Sequence, residues 1–197
     1  MMLLQLAEEY AVKTILERSP IQNLYHSIEH TRDVVNAAIE IAKGESVSEE
    51  EIEIITLAAW FHDLGYVEKT SGHEEIGAMF ASNFLLNQNY NQSKIGKVIG
   101  CIMATKVPQR PNNHLEKIMC DADLNHLGRK SFIDRNNLFR TEFEFYFKRR
   151  LTESEWLIKS IEFVSQHNFF TDYAQKTFSD IRNDNLAQLQ LQLDSLI

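Results

Sequence analysis

The chain has 197 residues, 44% of them hydrophobic, and a formal net charge of -8. That length and apolar content suit one core burying about 70% of the unfolded surface. The acidic balance argues against a nucleic-acid or membrane-surface binder, which would present a basic face, but not against an anionic substrate, because a bound divalent cation dominates the field in its own pocket.

With 3 Pro and 7 Gly and long segments repeating at three and four, the chain reads as all-α. Residues 2 to 17 form a first amphipathic helix that ends before Ser19-Pro20. A second runs from about Ser27 to Lys43 and stops at Gly44. Ser48 with Glu51 makes a capping box that opens a central helix, and Gly65 is expected to close it. Ser71 with Glu74 reads as another capping pair, starting a helix through Phe84-Leu85-Leu86 that fades in the polar stretch Asn87 to Gln92. Ile95, Val98, Ile99 and Ile102 recur at helical spacing over residues 93 to 106, after which Pro108 and Pro111 bracket a loop. A further helix over roughly 114 to 127 ends at Gly128.

The last third is dense in aromatics, which reads as packing. Phe143, Phe145 and Phe147 alternate as in a strand, yet Thr152 with Glu155 caps the next segment as a helix and no partner strand is at hand. The Gln- and Leu-rich tail from Asn185 has helical spacing suited to packing on the domain or on a second subunit, so a homodimer is the candidate assembly. Cys101 and Cys120 form no CxxC and read as reduced, buried thiols. The segment Met1 to Glu9 lacks a basic n-region, and no apolar run approaches the ~18 residues of a membrane span, so the cytoplasm is the expected location.

Three stretches place ionisable residues on apolar stripes. In Ala58-Ala59-Trp60-Phe61-His62-Asp63-Leu64-Gly65, a helix that buries Ile52, Ile55 and Ala59 keeps the same face through positions 62 and 63. Such side chains stay out of an apolar interior unless their desolvation is compensated. A shared divalent cation is the simplest compensation, and a buried His-Asp hydrogen bond near a helix end the plainer one. In Tyr25-His26-Ser27-Ile28-Glu29-His30, the two histidines lie one turn apart if the helix takes in both, and Val34, Ala37, Ala38 and Ile41 continue the His30 side into the core. Such a pair serves a metal or a proton relay; read structurally, His30 caps a core and His26 lies on the surface. In Leu115 to Leu127, at about 100° per residue, the apolar positions 115, 118, 119 and 122 centre on a face that takes in Asp123 and His126. Asp121 falls nearly opposite, toward solvent or a partner beyond the site. Three helices each delivering His or Asp from a core stripe point to a shared cation far more strongly than any one does.

This order, a lone His, His-Asp about thirty residues on and an Asp about sixty further, resembles the HD superfamily of metal-dependent phosphohydrolases over roughly residues 24 to 128. The resemblance implies a single helical domain of the HD type spanning 1 to 197, its metal-site core at about 24 to 128 and a C-terminal helical extension at about 129 to 197. It implies one divalent metal (Mn, Mg, Co, Ni, Fe or Zn) on His30, His62, Asp63 and Asp123. The Tyr-His start also resembles the segment of cyclic-nucleotide phosphodiesterases whose first histidine protonates the leaving oxygen, a role that falls on His26, although Ser27 stands where that family has Asn. Ser71 to Gly77 is no zinc-protease helix, because Gly77 takes the place of a second His. It is similar to the HD helix where binuclear members add a ligating histidine. Those members add further histidines near Met103-Ala104-Thr105, which this chain lacks, so one metal is favoured and His73 is expected to line the pocket or contact substrate. His126 either faces the site or packs.

The expected activity is hydrolysis of a phosphate ester or phosphoanhydride of a nucleotide or another small phosphorylated molecule. A water activated by the metal attacks, Asp63 accepts its proton and His26 protonates the departing oxygen. Lys106 and Arg110 in the Pro-bracketed loop are the candidate substrate-binding cations, with Arg140 behind them. The alternatives are a cyclic-nucleotide phosphodiesterase-like diester hydrolase, a non-catalytic nucleotide-binding regulatory module, and oxidation at two irons as in some HD-like proteins. Neither nucleic acid nor a membrane is an expected partner.

Overall fold

From Ile54 to Phe61 the central segment offers almost no polar face, and a helix apolar all round has to be buried. In the computed structural model, which describes residues 2–196, this segment lies in α3 (Glu49–Phe61), and Ile54, Ile55, Leu57, Ala58, Ala59 and Phe61 have no exposed surface. Around it pack α1 (Met2–Arg18), α2 (Ile28–Gly44), α4 (His73–Asn87), α5 (Gln92–Ala104) and α6 (His114–Asp123). The chain continues through α7 (Phe132–Tyr146), α8 (Glu153–Gln166) and α9 (Asp172–Asp194). The described residues contain no strand, and Phe143 and Phe145 lie within α7 with Phe147 at its C-terminal cap. The fold is all-α. No helix among the described residues is long and apolar enough to cross a membrane.

The helix starts follow side-chain caps. Ser48 and Glu51 form the reciprocal box, with the Ser48 N–H donating to Glu51 Oε2 at 2.9 Å, and Thr152 with Glu155 repeats it. Ser27 caps α2, Asn91 caps α5 and Asn113 caps α6. Three boundary expectations are corrected. Gly65 does not close α3, which stops at Phe61; the chain passes through His62 and Asp63 into a 3-10 turn at Leu64–Val67. Any Cβ on Gly65 would collide with the His73 carbonyl, so the residue is needed for the close approach of α4. Ser71 does not cap α4, whose N-cap is Gly72 with φ at 71°. The helix from 114 ends at Asp123, and a second 3-10 turn, Asn125–Gly128, follows it.

Asp121 takes the second of its two expected places: it is fully buried and faces a partner rather than solvent. Its carboxylate accepts the backbone N–H groups of Phe170 and Thr171, each at 2.8 Å, and the Thr171 hydroxyl at 2.7 Å. It thus holds the segment that leads into α9. In return, the Asn185 amide on α9 donates to the Leu127 and Arg129 carbonyls at 2.8 and 3.0 Å. The tail therefore packs on the core with Asn185 and Leu189 buried, while the cysteines are free and buried.

Candidate functional site

Four side chains meet where α2, α3 and α6 come together. His30 sits one turn into α2, His62 and Asp63 follow the end of α3, and Asp123 is the last residue of α6. One ligand-type atom from each lies within 4.8 Å of the others. His30 Nε2 and His62 Nε2 each approach Asp63 Oδ2 at 3.2 Å, and they stand 3.7 and 3.6 Å from Asp123 Oδ1.

Burial by itself pushes both imidazoles down, but the Asp123 and Asp63 carboxylates outweigh it, leaving His30 above and His62 well above the usual histidine value. Against the same burial, the imidazoles hold Asp63 well below, and Asp123 below, the usual carboxylate range. The cluster thus favours positive charge at its centre. His62 Nδ1–H donates to the Ala59 carbonyl at 2.9 Å, which turns Nε2 toward the cluster. His30 Nε2, His62 Nε2 and Asp63 Oδ2 are all buried, and apart from their ion-pair contacts with the cluster carboxylates and imidazoles they have no hydrogen-bond partner. Orphaned atoms of this kind cost about 1–3 kcal/mol each unless something binds them, and two imidazoles with two carboxylates are a donor set for a divalent cation.

A family model for the HD domain matches residues 27–127, about half of the chain. The chain belongs to the HD domain family. No curated protein matches it. Its fold is similar to that of a predicted HD superfamily hydrolase from an uncultured Thermotogales bacterium, at 21% identity and a TM-score of 0.63, covering 96% of this chain and 92% of that one. A Lactobacillus plantarum protein gives 16% identity and a TM-score of 0.69 over 99% and 95% of the two chains. Bacillus subtilis YpgQ, solved in complex with ADP, gives 19% identity and a TM-score of 0.67 over 97% of each chain. Likeness at these identities is one of fold. Family and cluster together point to a metal-dependent hydrolase with a divalent-metal site on His30, His62, Asp63 and Asp123.

The HD cluster opens into a cavity of about 860 Å³ whose lining includes His26, Asp63, His73, Asp123 and His126. His26 lies just before the Ser27 cap rather than inside α2, so the helical relation to His30 does not hold, although the two rings still stand 5.8 Å apart. Its position is set by Glu142 of α7. One Glu142 oxygen accepts the Tyr25 and His26 backbone N–H groups at 2.9 and 3.1 Å, and the other pairs with His26 Nδ1. Burial pushes Glu142 up, but the His26 contact and these N–H donors hold it below the usual value. An ionised carboxylate only accepts, so Nδ1 carries hydrogen and Nε2 is the nitrogen left to exchange a proton. The opposite face of the His26 ring stacks on Tyr66 at 3.7 Å between centroids.

His73 Nδ1–H donates to the Thr70 carbonyl at 2.8 Å, and its Nε2 stands 3.4 Å from Asp63 Oδ1, the oxygen turned away from the other two imidazoles. His126 lines the cavity with its Nδ1 at 3.1 Å from the Tyr25 hydroxyl; burial, followed by the charge of His30, pushes its pKa down to about 3. Lys106 lines the cavity and pairs with Glu75 at 2.7 Å. Arg110 is exposed and does not line it, because its neighbour Gln109 is the loop residue that turns inward, donating to Asp123 Oδ2 at 3.1 Å. Arg140 is tied to Glu144, Glu153 and the Leu151 carbonyl, which fastens α7 to the start of α8. Sequence reading missed Glu142, Tyr66 and Gln109. For Glu142 a signal exists, since Phe139, Glu142, Phe143 and Tyr146 recur at three and four, which puts an acid on an apolar stripe.

Proposed function

We propose that this HD domain is a phosphohydrolase acting on a nucleotide or another small phosphate ester. The observation that carries the reading is the buried meeting of His30 Nε2, His62 Nε2 and Asp63 Oδ2 behind a cavity that Asp63 and Asp123 line together with a carboxylate-fixed histidine.

His30, His62, Asp63 and Asp123 would hold one divalent cation, whose chemistry is to polarise a phosphoryl oxygen and make water more acidic. Asp63 takes the proton of the attacking water on Oδ1, the oxygen directed toward His73 rather than toward the other imidazoles. His26 gives the proton on Nε2 to the oxygen that leaves phosphorus, while Glu142 holds the ring by its Nδ1–H. His73, next to Asp63, and Lys106 at the cavity wall supply donors for the phosphate oxygens. A volume of about 860 Å³ accommodates far more than a phosphate and falls in the range of small-molecule sites, roughly 300–1,000 Å³. Binding of ADP by the similarly folded YpgQ supports a nucleotide as the larger ligand.

The test is phosphate and pyrophosphate release by the Mn²⁺-loaded protein from nucleoside mono-, di- and triphosphates, cyclic nucleotides and simple esters, with His62→Ala as control. Release that the control lacks is expected. Nucleotide binding without turnover in Mn²⁺, Mg²⁺, Co²⁺, Ni²⁺, Fe²⁺ or Zn²⁺ would replace the enzyme reading with that of a binding module.

A further inference from the structure

The HD match ends at residue 127, yet the cavity continues past it between α7 and α8, where Phe139, Phe143, Trp156 and Phe163 form its wall. A path of rings joins this end to the reacting end: the Phe139 centroid lies 6.0 Å from His26 and 5.9 Å from Trp156, which lies 5.9 Å from Phe143.

These aromatics are not used up by the core. Phe139 and Phe163 are 37% and 40% exposed, and Phe132 and Glu142 are the buried residues of α7. Trp156 is only 4% exposed, and its indole Nε1–H is buried without a hydrogen-bond partner. Buried indole N–H groups normally find an acceptor, so an unpaired one on a residue of the cavity wall calls for one. Beside it Asn136 and Ser160 bond to each other across α7 and α8 at 3.1 and 3.3 Å, giving the wall one polar strip that can both donate and accept. Lys159 also lines the cavity, which disfavours a cationic ligand.

We propose that the α7–α8 end of the cavity binds the organic part of the substrate, and that this part is a flat, uncharged heteroaromatic ring. The ring lies against Phe139, Phe143 and Phe163, and an acceptor on its edge takes the Trp156 indole N–H. An alkyl chain would bury against the phenyl rings but leave the indole N–H and the Asn136–Ser160 strip unanswered, and a sugar alone would leave the phenyl rings uncovered. The inference rests on the phosphohydrolase reading for the orientation of the ligand, but binding of the ring is measurable without turnover.

Calorimetric titration of the intact, metal-loaded protein with adenosine, uridine, benzyl alcohol and glycerol tests the ring alone. Hydrolysis of a nucleoside monophosphate, phenyl phosphate and glycerol phosphate tests its bearing on the reaction. Adenosine or uridine should bind and glycerol should not. Trp156→Phe, which keeps an aromatic ring, and Phe163→Ala, at a partly exposed position, should each weaken nucleoside binding by about tenfold and lower the nucleotide-to-glycerol-phosphate ratio of kcat/KM by a similar factor. Equal binding of benzyl alcohol and the nucleosides would overturn the heteroaromatic assignment. Nucleoside binding unaltered in both variants would overturn the site, even with turnover intact. Nucleoside binding that is lost in the variants, in a protein that hydrolyses no phosphate compound, would support the ring site while removing the phosphohydrolase reading.

Discussion

Glu142 holds His26 at two points, accepting its backbone N–H at 3.1 Å on one carboxylate oxygen and pairing with its ring Nδ1 on the other. The first contact fixes the chain and the second fixes the tautomer. Glu142→Gln keeps an acceptor for the N–H but removes the carboxylate oxygen that pairs with the ring Nδ1–H. Turnover is expected to fall by at least about tenfold with bound metal unchanged. His26→Ala should cost about 10²–10⁴-fold, and the double variant should be no worse than His26→Ala alone, because the carboxylate acts through that ring. Additive losses in the double variant would assign Glu142 a separate role.

Removing either central ligand should empty the cluster. His62→Ala and Asp63→Ala are expected to lose bound metal, read by mass spectrometry of the desalted protein, while far-ultraviolet circular dichroism stays helical. The fold survives because these residues follow the end of α3, whose own core contacts run from Ile54 to Phe61. Metal retained at full stoichiometry in either variant would contradict the site.

Asp121 and Asp123 stand two residues apart and should fail differently. Asp123 lies in the cluster, whereas Asp121 accepts three donors from Phe170 and Thr171. Asp121→Ala leaves those donors unanswered in a buried place and should cost about 2–4 kcal/mol of stability with metal retained. Asp123→Ala should lose metal with a smaller change in the melting temperature of the metal-free protein. Both outcomes come from two measurements, a denaturant titration and a metal count, and identical profiles for the two variants would refute the division.

The helices and the cluster were legible because both depend on local phase. Apolar spacing at three and four marks which face is buried, and His30, His62, Asp63 and Asp123 fall on or beside it. Helix ends were harder. Gly65 and Ser71 looked like stop and start signals, but the close approach of α4 to the turn after α3 explains the glycine and leaves Ser71 without a capping role. The phase of α6 sent Asp121 away from the site correctly, yet nothing local shows that α9 begins there and needs its carboxylate. Glu142 is separated from His26 by more than a hundred residues, so their pairing exists only once α7 folds back over the cavity.

His167 gives the chain an acid-sensitive point that is not one of the cluster's four residues. Its Nε2 is buried without a hydrogen-bond partner, and its ring meets Phe169 edge-on at 5.0 Å. Burial, with the charge of Arg182 behind it, pushes the imidazole down to about 4, so the folded state keeps it neutral where the unfolded chain, with a value near 6.5, already binds a proton. The unfolded state therefore takes up more protons between those values. The contribution of His167 is full above pH ~6.5 and is lost as pH falls through that window toward 4. His126, pushed down to about 3, acts in the same direction, so His167 carries only part of the effect. His167→Gln should flatten the fall in stability between pH 7 and 4.5 by about 1–2 kcal/mol, or roughly 2–6 °C in melting temperature. Thermal melts of the two proteins at matched ionic strength make the comparison, and parallel curves would show that His167 is protonated in the fold as easily as outside it.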